Sequence, residues 1–496
     1  MPVEEYRKQV EAFSTDLSRE HYMYFSGQKD RLELACLYER YSDLYSLDAV
    51  TEIRRWRSEA SPQYSAIPQS LDKLLAFAVE HHLQMATRGI SEQISEYESK
   101  AQITWQGRML GFYESFVVLA NEPDPSARRQ LALRAGEVIS RGNDLRTERI
   151  ARQREACVAL GFPSYLAAYT STRHIDYTSL FKPIMEFLQA TDRFYTTSLR
   201  RALANEIGVG LEDAHRSDVG YFSRLKRFDP HFPKEDLVAC YNASMAGLEI
   251  DVARQTNITL DIEPRPRKHP RAFCSPIMIP DEIKLVITPH GGADDYAAFL
   301  HEAGHAQHMG WTSRRLTIED RALGDRSVSE AYAFLFNYFI ADTDWLTDIL
   351  RFKNHEDFHQ LQKLLKLHII RRYAGKLRYE LELHDSPSVH RDLASTYARY
   401  LTEATRFQYD PVEYLYDLDD GFYSADYLRA WIFEAQLRDH LRRRFGRSWF
   451  KSKKAGLFLM ELWETGERYG ADDLAAQIGL GSLDTGALLA EFHDAA

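Results

Sequence analysis

His301-Glu302-Ala303-Gly304-His305 decides how this 496-residue chain is read. Two imidazoles four residues apart stand on one face of a helix, one turn above the other, where they can grip a single metal ion. The glutamate between them is the residue type that takes the proton of an activated water in zinc hydrolases. The flanks suit a helix. Pro289-His-Gly-Gly292 breaks the chain upstream, Asp294 or Asp295 offers a cap, and Gly310 offers a stop. Gly304 costs about 1 kcal/mol relative to alanine inside a helix, so its position predicts another backbone passing close beside the motif.

A catalytic zinc site takes three protein ligands and keeps a fourth position open. The motif supplies two, so a third must come from a second element. Glu330 lies 29 residues after His301, at the start of Ser327-Val-Ser-Glu-Ala-Tyr-Ala-Phe-Leu-Phe336. That run is apolar on most faces and therefore buried, and a buried carboxylate needs a partner. Zinc is one such partner. The competing reading is a capping box, Ser327-x-x-Glu330, in which the carboxylate bonds its own helix start. His308 continues the stripe of His301 and His305 and is expected to line the cleft or bond a group behind the ligands. Asp325 either orients a ligand histidine or shapes the turn after Gly324.

Away from the motif the expected class is mainly α, with a small β-sheet beside the active-site cleft. Residues 1–262 read as a helical scaffold. Leu32 to Tyr45, Ser70 to Ala86 and Leu131 to Leu160 all carry apolar residues at three- and four-residue spacing. Residues 263–496 read as the catalytic region, packed with the scaffold as one body around a deep cleft. Glu263-Pro-Arg-Pro-Arg-Lys-His-Pro270 cannot be helical and is expected to be an exposed basic connector. Arg271 to Ile279 and Ile283 to Thr288 read as a hairpin turning at Pro280-Asp281-Glu282. The second of these is either an edge strand that pairs with an extended peptide or an ordinary buried strand.

The motif His301-Glu-Ala-Gly-His-Ala-Gln-His308, with a glutamate 29 residues after the first histidine in a Ser-Glu-Ala context, resembles the thimet oligopeptidase, neurolysin and oligoendopeptidase F family. The match covers roughly residues 270 to 435. It implies a large, mainly helical zincin-type peptidase whose channel admits short peptides. It also implies one zinc ion on His301, His305 and Glu330, with Glu302 as general base. A tyrosine-rich family segment that stabilises the tetrahedral intermediate aligns with Gly421-Phe-Tyr-Ser-Ala-Asp-Tyr427-Leu-Arg-Ala430. Leu418 stands where the family has a histidine, and Ala430 where it has its last tyrosine. Tyr427 and Tyr423 are the remaining oxyanion partners, with Arg429 beside them. Aromatic packing is the competing account of both tyrosines.

The implied activity is endopeptidase action on short peptides. The alternatives are a metallocarboxypeptidase of similar helical fold, whose HPF tripeptide is absent here, and a catalytically silent peptide-binding relative. Nucleic acid is disfavoured as a partner, because 62 basic against 73 acidic residues leave a net charge of -11. Arg442-Arg-Arg444 and the Arg447–Lys454 stretch read as a solvated helix face. No membrane partner is expected, since the longest apolar run, Ala331 to Ala341, is about half a bilayer span. The scattered Cys36, Cys157, Cys240 and Cys274 and a charged N-terminus point to reduced thiols and a cytoplasmic location. Oligomeric state is left open.

Overall fold

Apolar residues at helical spacing become buried stripes throughout the chain. In the first helix, α1 (Val3–Phe25), Glu4 and Glu5 face the positive end of the helix dipole. Tyr6, Val10 and Phe13 form its buried stripe. The computed structural model describes residues 1–60, 66–386, 388–389 and 391–493. Among its other helices are α2 (Ala66–Lys100), α3 (Pro125–Ala159), α4 (Tyr177–Ile207), α5 (Ala293–Trp311), α6 (Arg326–Asn337), α7 (Glu356–Asp385), α8 (Arg391–Thr405), α9 (Tyr423–Phe445) and α10 (Lys453–Trp463). The class is mainly α, as expected. Among the described residues, no helix is long and apolar enough to cross a membrane.

Among the described residues, two small sheets interrupt the helices. The first is absent from the helical expectation for residues 1–262. Strands β1 (Gln102–Trp105) and β2 (Arg108–Gly111) form a hairpin whose turn, Gln106-Gly107, has positive φ at both residues. Such a turn matches the twist of two antiparallel strands, and glycine adopts it without strain. The second sheet has the order β3 (Ile258–Asp261), β5 (Glu282–Val286), β4 (Phe273–Met278). β5 pairs antiparallel with β4, as the hairpin reading has it, and parallel with β3 on its other side. Of the two readings of this stretch, edge strand or ordinary buried strand, the second holds, because it is the centre of the sheet. Both of its hydrogen-bonding edges are taken, and it cannot accept an added peptide strand. The basic connector is non-helical and mostly exposed, with one exception. Lys268 turns inward, and its ammonium donates to Asp261 and to the carbonyls of Asp261, Glu263 and Ile287.

The chain divides into two compact units. The first comprises Met1–Ala78, Lys226–Gln362 and Asp426–Glu491. It contains α1, the three-stranded sheet, α5, α6 and α10. Its aromatic core centres on Phe339, whose ring lies within 5.9 Å of those of Phe336, Trp345, Trp449 and Phe450. The second unit comprises Val79–Leu225 and Lys363–Ala425, with the terminal residues from Phe492. One of its cores joins Ile103, Trp105, Leu110 and Phe112 to Leu131, Ala135, Val138 and Ile139 of α3.

Candidate active site

Helix α5 starts after Gly292, which takes the N-cap position. Asp295 does not cap it there. Its carboxylate accepts the backbone N–H groups of His290 and Gly291, and so ties the Gly-rich loop to the first turn. The helix runs one residue beyond Gly310, to Trp311. It packs lengthwise on α6, and Gly304 explains how closely. A Cβ at Gly304 would lie 2.5 Å from the carbonyl oxygen of Tyr332 and 2.6 Å from the Cα of Ala333. The close backbone approach expected at this glycine is the α5–α6 contact.

That contact brings Glu330 to the two histidines. Its Oε2 lies 3.4 Å from His301 Nε2 and 3.7 Å from His305 Nε2. Ligand atoms of the three residues all fall within 4.8 Å of one another. Glu330 is not part of a capping box, because the helix start is capped by Asp325, whose carboxylate accepts the N–H of Ser327. Asp325 does not touch a ligand histidine either. It pairs with Arg429 and accepts the N–H of Ala471. Two imidazole nitrogens and one carboxylate oxygen, half-buried to buried and facing one space, are the donor set and number that suit zinc with an open position.

The electrostatics divide the two histidines. Burial disfavours the charged form of both. At His301 the hydrogen bond and charge of Glu330 outweigh burial, and the pKa rises above its ordinary value. At His305 burial wins and pushes it down to about 4. The difference follows the distances, since Glu330 is nearer to His301. Glu302, on the neighbouring position of α5, has its carboxyl pushed up to about 7 by burial. Its Oε2 accepts the backbone N–H of Cys274 at 2.8 Å. This bond clips the carboxylate to β4, whose other edge pairs with β5. The Cys274 thiol is held well above its ordinary pKa, by burial first and by Glu302 second.

Three further groups border the cluster, and of these only His308 stands out in the sequence. Phe334 of α6 sets its ring 5.1 Å from that of His301. Ser329 places its Oγ 2.8 Å from His305 Nδ1 and 3.2 Å from His308 Nδ1. His308, buried at 1% exposure, directs Nε2 to the carbonyl of Gly466 at 3.2 Å. His308 thus bonds a group behind His305, one of the two places foreseen for it. Burial pushes its pKa down to about 4. Only the spacing of His308 on the motif's stripe hints at this arrangement. Ser329 looks like any helix serine.

The tyrosine segment is placed differently. Tyr427 is half-buried, with its ring 5.6 Å from Phe334 and 5.7 Å from Trp431. It is therefore one aromatic ring removed from His301. Tyr423, one turn earlier on α9, is half-buried and belongs to the second compact unit. Arg429 is buried and spent on Asp325, Ser327 and Asp472, so it anchors the start of α6 and is not a free oxyanion donor. Ala430 is fully buried.

No protein-family model and no curated protein matches the sequence. Solved structures do match in fold. One is provisionally named an oligoendopeptidase F, from Bacillus anthracis str. Ames. It superposes with a TM-score of 0.64 at 15% identity, over 98% of this chain and 89% of that one. Another is a provisionally named peptidase from Chlamydophila abortus, with a TM-score of 0.68 at 14% identity, over 99% and 89%. At such identities the likeness is one of fold, and the fold resemblance read from the motif is met along nearly the whole chain.

Proposed function

We propose that the chain is a zinc-dependent peptidase that cleaves short peptides internally. The observation that carries this is the convergence of His301, His305 and Glu330 within 4.8 Å, with the Glu302 carboxylate one position along the same helix. The fold shared with proteins named as peptidases supports it. His301 and His305 would ligate through Nε2 and Glu330 through a carboxylate oxygen. A bound zinc ion supplies Lewis acidity, which eases deprotonation of water and polarises an amide carbonyl.

Glu302 holds the other half of the chemistry. The Cys274 N–H fixes one carboxylate oxygen, so the other is the proton acceptor toward attacking water. The same carboxyl, once protonated, returns the proton to the leaving amine. Its burial raises its basicity, and a base near neutral pKa both accepts and releases a proton efficiently at neutral pH. Tyr427, one aromatic ring removed from His301, is assigned to the oxyanion, with Tyr423 as its reserve. An extended substrate would not pair with β5, whose two edges are both taken.

The test is hydrolysis of an internally quenched, end-blocked peptide by protein of measured zinc content. Activity lost to a chelator and restored by zinc is expected, with products cut internally. Glu302→Gln should keep the zinc and lower kcat by about 10²–10⁴-fold. Unchanged turnover in that variant would falsify the assignment of the base. Stepwise loss of C-terminal residues would move the reading to a carboxypeptidase.

A further inference from the structure

The three atoms at the proposed metal site must offer lone pairs, yet a neutral imidazole carries a proton on one of its nitrogens. Something must keep that proton off Nε2 of His305. The structure holds a hydrogen-bond chain that does so: His305 Nδ1, Ser329 Oγ, His308 Nδ1, then His308 Nε2 and the carbonyl of Gly466.

The directions along this chain follow from one fixed end. A carbonyl oxygen only accepts, so His308 Nε2 carries a proton and donates it to Gly466. Neutral His308 then has its lone pair on Nδ1, which accepts the hydroxyl proton of Ser329. That hydroxyl has no second proton to give. Its oxygen accepts from His305 Nδ1, which must therefore bear the ring proton of His305. Nε2 of His305 is left as a bare lone pair facing His301 Nε2 and Glu330 Oε2. Metal-ligating histidines usually have their second nitrogen held by a carboxylate, a backbone carbonyl or water, which fixes the tautomer. Here the carbonyl acts at two removes, through a histidine and a serine.

We propose that Ser329 is a positioning residue, which together with His308 and the Gly466 carbonyl locks His305 in the tautomer that can bind metal. The proposal rests on the metal-site reading above. Ser329 and Glu330 are adjacent on α6, so one helix turn supplies both a ligand and the group that prepares another ligand. The segment after α10 that carries Gly466 becomes part of the metal site without touching it.

Nitrogen-15 spectra of histidine-labelled, metal-free protein read the ring protons directly. His305 is expected to show a protonated Nδ1 and a bare Nε2; a proton on Nε2 overturns the proposal. Zinc affinity, by competition with a colorimetric chelator, gives the second readout. Ser329→Ala should weaken zinc binding by about 10–100-fold, and Ser329→Thr, which keeps the hydroxyl, should restore most of it. His308→Phe should also weaken binding, because the freed Ser329 hydroxyl then donates to His305 Nδ1 and drives the proton to Nε2. Equal affinity in Ser329→Ala and the parent protein overturns the proposal. Zinc binding that survives His301→Ala would instead sink the metal-site reading, while the nitrogen spectrum still judges the hydrogen-bond chain on its own.

Discussion

Two buried polar clusters in this molecule handle charge in opposite ways. In the first unit, His301, His305 and Glu330 turn metal-ligating atoms toward one shared space. In the second, cations and anions interleave. Asp417 pairs with Arg372, lies 3.7 Å from Lys376 and accepts the hydroxyl of Tyr397 at 2.9 Å. Lys376 also reaches Asp419 at 2.7 Å. Burial raises the cost of charge at Asp417, but Arg372, Lys376 and Arg216 outweigh it and hold its carboxyl below the usual range. Buried charge can thus be balanced within the protein, as at Asp417, or arranged so that an outside cation balances it, as proposed at Glu330. The first kind serves the fold. The second costs stability until it is occupied and is the kind that does chemistry.

The contrast can be tested by breaking each cluster in turn. The largest effect on stability is expected at Asp417→Asn. It leaves Arg372 and Lys376 short of a buried partner, a loss of about 3–5 kcal/mol in chemical denaturation. Zinc bound per folded molecule should not change. A loss under about 1 kcal/mol would put this network among surface-like pairs and end the contrast.

Gly304→Ala probes the helix contact beneath the other cluster. The added methyl meets the Tyr332 carbonyl at 2.5 Å, so α5 and α6 must part. A cost of about 1–3 kcal/mol is expected, with weaker zinc binding because Glu330 moves away from both imidazoles. A variant as stable as the parent, with unchanged metal affinity, would show that the approach at Gly304 does not set the site.

The smallest effect concerns Glu302 in metal-free protein. Its folded pKa, about 7, lies above the ordinary 4.5. The folded state then holds the proton more tightly than the unfolded chain, so ionisation costs stability as pH rises from about 4.5 through 7. Glu302→Gln never ionises. The melting temperatures of variant and parent should nearly coincide at about pH 4, below both pKa values, and the variant should melt a few degrees higher at about pH 8. A gap that narrows with rising pH would contradict the burial of this carboxyl.

What could be read in advance varied with distance along the chain. The stripe of His301 and His305 depends only on helical period. The cost of Gly304 pointed to a close neighbour, and α6 is that neighbour. The β1–β2 hairpin has a weak signature because its strands have four residues each and follow a 35-residue helix directly; Gln106-Gly107 is the available signal. β3 is equally short, and without it β5 passes for an edge. Lys268 looked like one more charge in an exposed connector, yet four oxygens gather round its ammonium.

The amino-acid order by itself determined the mainly helical class and the placement of two imidazoles and a carboxylate on one helix. These follow from spacing between near neighbours, which any helix enforces. That Glu330 meets those imidazoles and leaves its own helix cap to Asp325 follows from long-range packing alone. Packing also sets the clip of Glu302 to β4, the pairing of Arg429 with Asp325, and the chain that runs from the Gly466 carbonyl through His308 and Ser329 to His305. Each of these joins segments far apart in the chain, and their meeting depends on how closely whole helices pack. No local pattern encodes that distance.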